Sequence, residues 1–243
     1  MKAKVVLPIL VALVAALMAA PVSAAPCGAA SVTLDVFSGV PPGGVTPCSY
    51  TVGTLTFTGV SNPAPAFTVT GVPPGTASPT SAVGITVQPE TLFGLPGLRF
   101  SGSFSVTGGA TLDVTFSYRV DSAGAPITDI HLDFNGTFVG TGSSVIVTES
   151  VADATTGKVL AVASVTNPPP VFSTDLLLSA PATSVIVTKD IKLISGTGDS
   201  ARADISTIDQ LVSQSVPEPA SLLLIATGLV AVAIGRKRIG GRL

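Results

Sequence analysis

The middle of the chain is built from short runs of β-branched and aromatic residues, separated by clusters of Gly, Pro, Ser, Asn and Asp. The runs recur every ~8–12 residues, which is the spacing of strands in a sandwich or barrel. This pattern of short apolar runs and turn residues extends from Ala25 to about Ser215, and no part of it shows a sustained helical period. In residues 112–120 the even positions are apolar and the odd positions polar. Because successive side chains point to opposite faces of a strand, one set faces a core and the other faces water.

Turn chemistry favours antiparallel sheets. Residues 121–124 (Asp-Ser-Ala-Gly) and 153–157 (Asp-Ala-Thr-Thr-Gly) each separate two strand-like runs and carry hairpin-type residues. We therefore predict an all-β antiparallel sandwich, Ig-like or jelly-roll, over residues 25–215. The predicted strands are 32–37, 51–60, 67–72, 84–87, 98–106, 111–120, 127–134, 144–152, 158–165, 172–178, 184–193 and 201–212.

The N-terminus has the three parts of a secretory signal peptide. Lys2 and Lys4 form a charged region, an apolar run follows over residues 5–20, and small residues precede Ala25. Cleavage after Ala24 fits best, because Val22 and Ala24 then occupy the two small-residue subsites. We expect residues 1–24 to be removed by signal peptidase after export through the Sec translocon.

The C-terminus carries a second compound signal. Pro217, Glu218 and Pro219 precede an apolar run over residues 220–235, which is closed by a basic cluster. The prolines hold the glutamate in extended backbone. As a helix the run is about 24 Å long, slightly short of a bilayer core. The cluster of Arg236, Lys237 and Arg238 stays cytoplasmic, leaving the body outside the inner membrane.

This tripartite end resembles the PEP-CTERM sorting signal of Gram-negative bacteria. The resemblance covers about the last 27 residues and implies a domain boundary before residue 216, with a sorting tail over 216–243. It implies that a membrane-embedded exosortase, a cysteine-type transpeptidase or protease, recognises Pro217, Glu218 and Pro219 and cuts near them. The single transmembrane helix would then be a transient inner-membrane tether, and the body would pass to the cell surface or the extracellular matrix.

The charge balance excludes one class of partner. Residues 25–215 hold 13 acidic and six cationic residues, so this segment has a formal charge of −7. Phosphate binding requires a cationic face, so a nucleic-acid partner is not expected. Trp is absent and aromatic residues make up 5% of the chain, so a stacking platform for sugars or bases is poorly supplied.

The two cysteines, Cys27 and Cys48, both follow the signal peptide. An even cysteine count in an exported chain favours a disulfide. A metal pair would lack further ligands nearby, and a redox dithiol would need closer spacing. We therefore predict a Cys27–Cys48 disulfide.

No residue set reads as a catalytic centre. The one histidine, His131, shares a strand face with Asp129 and Asp133, which makes these three weak candidates for a metal site beside the simpler interpretation of a solvated strand face. The two glutamates of the body are Glu90, expected in a loop, and Glu149, expected at a strand end. Neither has the partner that paired-carboxylate chemistry needs.

We therefore expect a non-enzymatic, exported surface or matrix protein, without a cofactor and associated with exopolysaccharide. One alternative is a secreted hydrolase or carbohydrate-active enzyme on a β scaffold. Another is a structural surface protein that self-assembles through sheet edges, which few charges protect.

Overall fold

A computed structural model describes residues 24–40, 46–71, 77–198 and 200–215. Within these ranges no helix is both long and apolar enough to cross a membrane. The predicted signal peptide, apart from Ala24, and the predicted tail over 216–243 lie outside the described residues.

The described ranges are dominated by β-strands. Besides the strands they contain a short helix, α1 (Leu34–Ser38), and one 3₁₀ turn at Ala82–Gly84. The strands are β1 (Ala25–Pro26), β2 (Val32–Thr33), β3 (Cys48–Val52), β4 (Leu55–Gly59), β5 (Ala66–Thr70), β6 (Ala77–Ser78), β7 (Ile85–Leu92), β8 (Leu95–Thr107), β9 (Thr111–Ser122), β10 (Ile127–Val139), β11 (Ser144–Asp153), β12 (Val159–Asn167), β13 (Ser173–Ala182), β14 (Ser184–Ile194) and β15 (Arg202–Gln214).

The strands form two sheets. The first, called the A sheet here, has the order β1-β3-β4-β9-β14-β11-β12, with β5 also paired to β9. The second, the B sheet, has the order β13-β10-β15-β8-β7-β2, with β6 also paired to β8. All pairs are antiparallel except that of β1 with β3. The predicted antiparallel sandwich is confirmed.

The last eight strands have jelly-roll topology. Four of them lie side by side in the A sheet in the order β9-β14-β11-β12, and the other four lie in the B sheet in the order β13-β10-β15-β8. Apart from the step from β11 to β12, each strand in this region is followed by one in the opposite sheet. This interleaving of two four-stranded sets is the jelly-roll arrangement, which decides between the two predicted sandwich types.

One predicted hairpin is wrong and one is confirmed. Residues 121–124 do not close a hairpin, because β9 lies in the A sheet and β10 in the B sheet, so the chain crosses between sheets here. Residues 153–157 do connect two paired strands, β11 and β12. Asp153 Oδ1 accepts bonds from the amides of Thr155 and Thr156 in this turn.

The predicted strand over 32–37 is also wrong beyond its first two residues. Residues 34–38 form α1, which buries Leu34 and Phe37 completely. These two residues are three apart, so they share one face of a helix. The helix ends at Gly39, whose φ of 70° provides the left-handed conformation of a helix C-terminus.

The core lies between the sheets and follows the alternation in the sequence. On β9 the predicted inward residues, Leu112, Val114, Phe116, Tyr118 and Val120, are all buried. They pack against the inner face of the B sheet, where the ring of Phe100 lies 4.9 Å from that of Phe116.

The predicted disulfide is confirmed. Cys27 and Cys48 are bonded, with their Cα atoms 5.0 Å apart, and the amide of Cys27 donates to the carbonyl of Ser49. The bond fixes the first described residues against β3.

Candidate functional site

The B sheet carries a charged outer face across five neighbouring strands. The register places Asp175, His131, Leu211, Gly97 and Glu90 in one row across β13, β10, β15, β8 and β7. The adjacent row contains Asp133, Asp209 and Arg99. We call the charged members of these rows the carboxyl face: Glu90, Arg99, Asp133, His131, Asp175 and Asp209.

Arg99 is the centre of the carboxyl face. Its Nε donates to Asp209 Oδ1 at 2.6 Å and its Nη2 donates to Asp209 Oδ2 at 2.9 Å. Nη2 also lies 3.1 Å from Glu90 Oε2. One guanidinium therefore holds two carboxyls, with the two-bond geometry that arginine and carboxylate favour. The hydrogen bonds to Asp209 are the main reason that the pKa of Arg99 is raised.

Glu90 carries the largest change in acidity on this face. Burial and, after it, the charge of Asp209 together raise the pKa of Glu90 to about 7, against the opposing effect of Arg99. The Glu90 side chain is only 9% exposed, and its Oε1 atom is buried without a donor. A proton on Glu90 relieves the repulsion between its carboxyl and that of Asp209, so the site favours the neutral form of Glu90.

His131 lies at the β13 end of the carboxyl face, and its side-chain partner is not one of the two aspartates that the sequence placed beside it. His131 Nδ1 lies 2.5 Å from Asp175 Oδ1, across the pairing of β10 with β13. Asp133 is near both His131 and Asp209, and burial is the main reason that the pKa of Asp133 is raised. Asp129 instead accepts a bond from Ser213 at 3.4 Å.

The three weak metal candidates, Asp129, His131 and Asp133, do lie on one face of β10. Their nearest polar partners differ, however, and the described part of the chain holds no group of three or more His, Cys, Asp or Glu residues placed to share a metal ion. His131 and Asp175 form an ion pair when the imidazole is protonated.

Glu90 and Asp209 are held by the same guanidinium, since Nη2 of Arg99 contacts both carboxyls. The carboxyl face thus places acceptors and a donor side by side, an arrangement suited to forming hydrogen bonds.

Sequence reasoning placed both glutamates wrongly. Glu90 lies within β7 rather than in a loop, with Val87 and Ile85 directed to the core and Glu90 to the outer face. Glu149 lies in the middle of β11 rather than at a strand end, and it is completely buried. The signal for Glu149 was available, because it continues the inward series of Val145 and Val147.

The predicted processing sites lie at the margins of the described chain. Ala24, after which signal peptidase is expected to cut, accepts a bond from Ser49 through its carbonyl at 3.4 Å. Pro217, Glu218, Pro219, Arg236, Lys237 and Arg238 are outside the described residues. The last described strand is β15, and its last residue, Gln214, donates to Ser122 and to the carbonyl of Ala125.

A comparison with protein families identifies the sorting signal. Residues 215–238 match the family model of the PEP-CTERM protein-sorting motif. The resemblance drawn from Pro217, Glu218 and Pro219 is confirmed. The molecule is thus a jelly-roll protein with a C-terminal sorting signal of exported proteins. More particularly, residues 215–238 carry a PEP-CTERM protein-sorting motif.

Comparisons with whole proteins give weaker likenesses. No curated protein matches the chain. Among solved structures, the enzymatically active domain of tailspike protein 4 from bacteriophage CBA120 is 12% identical, over 61% of this chain and 19% of that one, with a TM-score of 0.31. TmCBM61 in complex with β-1,4-galactotriose is 10% identical, over 67% of this chain and 90% of that one, with a TM-score of 0.28. The family 11 carbohydrate-binding module of Lic26A-Cel5E from Clostridium thermocellum is 8% identical, over 63% and 89%, with a TM-score of 0.22. The chain thus spans about a fifth of the tailspike domain.

Proposed function

We propose that this protein is a non-enzymatic component of the cell surface or extracellular matrix, released from the inner membrane by exosortase, whose jelly-roll body binds polysaccharide at the carboxyl face. The observation that best supports sorting by exosortase is the position of the motif. The match begins at residue 215, directly after β15 ends at Gln214. The sorting signal therefore follows the folded body without a linker.

The anchoring of the last strand supports delivery of an intact body. The amide of Ser215 donates to the carbonyl of Pro126 at 2.9 Å, and Gln214 is held by bonds to Ser122, Ala125 and Thr54. The fold is complete up to the residue before Val216. A cut near Pro217 therefore removes no described strand.

The carboxyl face supports the proposed binding of polysaccharide. Polysaccharide hydroxyls donate and accept hydrogen bonds, and the face offers carboxylate acceptors on Asp209, Asp133 and Asp175 beside donors on Arg99 and a protonated Glu90. Neighbouring strands hold these groups, so their spacing is fixed before a ligand binds. A neutral, hydroxyl-rich chain is the preferred ligand, because the acidic body repels a polyanion.

Binding can be tested with the full chain and the host's own exopolysaccharide, by affinity electrophoresis and by assay of newly formed reducing ends. We expect retardation without new reducing ends. Arg99→Met should abolish the retardation, because it removes the group that positions Glu90 and Asp209. Arg119→Met is the matched control, since Arg119 is half-exposed on the A sheet and, among the described residues, pairs with Asp121 alone. Loss of binding in both variants, or no binding by the unaltered chain, would contradict the proposal, and new reducing ends would establish a hydrolase instead.

The edges of the sandwich favour a second candidate, a self-assembling surface protein. β12 ends the A sheet and β13 ends the B sheet, and these edge strands expose Val159 (55%), Val162 (62%) and Leu177 (78%). Exposed apolar edge strands can pair with another copy. Concentration-dependent growth in light scattering, removed by Val162→Lys, would support this candidate.

A further inference from the structure

The core contains a fully buried polar cluster that the proposed function does not use. Lys189 on β14, Glu149 on β11 and Gln210 on β15 are each 0% exposed. Lys189 and Glu149 are direct neighbours across the A sheet, whereas Gln210 reaches them from the B sheet. An amine, a carboxyl and a carboxamide thus meet between the two sheets, closed off from solvent.

The contacts place the carboxyl of Glu149 against both nitrogen atoms. Lys189 Nζ lies 2.5 Å from Glu149 Oε2 and also contacts Gln210 Oε1. Gln210 Nε2 donates to Glu149 Oε1 at 3.0 Å and to the carbonyl of His131 at 3.3 Å. Each oxygen of Glu149 therefore touches one nitrogen, and the amine lies directly against the carboxamide group.

The surroundings favour an uncharged amine. The aromatic ring of Phe100 lies 5.7 Å from Lys189 Nζ, and Tyr118 is fully buried close by. Burial lowers the pKa of Lys189, against the opposing effect of Glu149. A neutral amine is a nucleophile, a carboxylate beside it can accept its proton, and a site without water excludes hydrolysis of the amide.

We propose that this cluster forms an intramolecular isopeptide bond between Lys189 and Gln210. Lys189 Nζ attacks Cδ of Gln210, a new C–N bond forms, and the bond from Cδ to Nε2 breaks. Glu149 takes a proton from the attacking amine and delivers it to Nε2, which leaves as ammonia. One amide replaces another, so no oxidant, reductant or activated co-reactant is needed. The product joins β14 to β15 and so links the two sheets covalently.

Formation of the isopeptide bond lowers the mass of the protein, and a tryptic map can locate the change. After reduction of the disulfide, the protein recovered from its host should be lighter by one ammonia molecule than the sequence mass of its processed chain. Ring closure at the Asn135–Gly136 sequence would give the same loss, so a tryptic map has to place it. Trypsin does not cleave after an acylated lysine. We therefore expect residues 159–192 as one fragment, covalently joined to the fragment that begins at Ala203.

Substitutions separate the chemistry from the packing. Glu149→Gln keeps the size of the side chain but cannot accept a proton, and we expect it to abolish the linked fragment. Gln210→Met removes the carboxamide and should do the same. Lys192→Met is the matched control on the same strand, because Lys192 is exposed, and it should retain the link in a fragment that now runs from 159 to 202. An unlinked map of the unaltered protein, with free cleavage after Lys189, would overturn the proposal whether or not the variants fold, and a link that persists in Glu149→Gln would overturn the role of Glu149.

Discussion

Among single residues, Glu90 has the clearest effect on how the stability of the folded state depends on pH. The pKa of Glu90 is about 7 in the fold and 4.5 as an ordinary value. A carboxyl with a raised pKa binds its proton more tightly in the folded chain. Its contribution to stability is therefore complete below the ordinary value and is lost as the pH rises through about 7.

Glu90→Gln should flatten this pH dependence. The amide stays neutral, so the variant avoids ionisation in a crowded acidic site. Between about pH 5 and about pH 8 its free energy of unfolding should fall by ~1 kcal/mol less than that of the unaltered protein, since a pKa unit is ~1.4 kcal/mol and solvent screens part of the shift. Urea denaturation at several pH values measures the difference. Parallel pH profiles for the two proteins would rule out this role of Glu90.

Single residues were predictable where their environment is local or set by alternation. The Cys27–Cys48 bond followed from export and cysteine count alone. The pairing of His131 with Asp175 did not, because the partner is 44 residues away and is brought near only by the register of β10 with β13. Glu90 likewise owes its raised pKa first to burial in the fold and then to the charge of Asp209, which no spacing in the sequence connects to it.

At the scale of elements, the strands were easier to predict than their partners. Alternating residues identify a strand, because the period of two is a local property. The residues of a turn do not say whether the next strand pairs with the last one or crosses to the other sheet. That is why residues 121–124 were wrongly predicted to close a hairpin, whereas residues 153–157 were correctly predicted to do so.

Helix α1 was not predicted because tertiary packing, rather than local sequence propensity, determines its conformation. The segment 32–37 has β-branched and aromatic residues, which favour a strand. In the fold, a helical turn buries Leu34 and Phe37 on one side, and Phe37 stacks on Tyr50 with ring centroids 6.1 Å apart. Packing at the end of the sandwich outweighs the local propensity.

The contact of α1 with β4 makes Gly59 indispensable. A Cβ atom at Gly59 would lie 1.9 Å from the carbonyl oxygen of Phe37, which is backbone and cannot move aside. We expect Gly59→Ala to reduce the free energy of unfolding by about 3 kcal/mol through overpacking. Thermal and urea denaturation measure the loss.

Gly28 provides the control for this prediction. A Cβ atom there would meet nothing within 4 Å. Gly28→Ala should therefore leave the stability nearly unchanged. Equal stability of Gly59→Ala and Gly28→Ala would mean that α1 does not pack on β4 as described.

For the whole molecule, the fold and the sorting signal together describe a folded body followed directly by its sorting motif. The jelly roll is complete at Gln214 and the sorting motif starts at residue 215. The sandwich class and the sorting motif could both be predicted from the sequence, because alternation and the Pro-Glu-Pro tail are local patterns. The carboxyl face and the buried cluster could not, since each joins residues from strands far apart in the chain.

The C-terminus of the protein outside the cell tests the sorting claim most directly. Peptide mass spectrometry of protein recovered from the host's surface or culture fluid should find a chain that ends near Pro217–Pro219 and lacks residues 220–243. A variant with Ala at Pro217, Glu218 and Pro219 should instead stay in the membrane fraction with its tail attached. An extracellular protein that still ends at Leu243 would contradict the account.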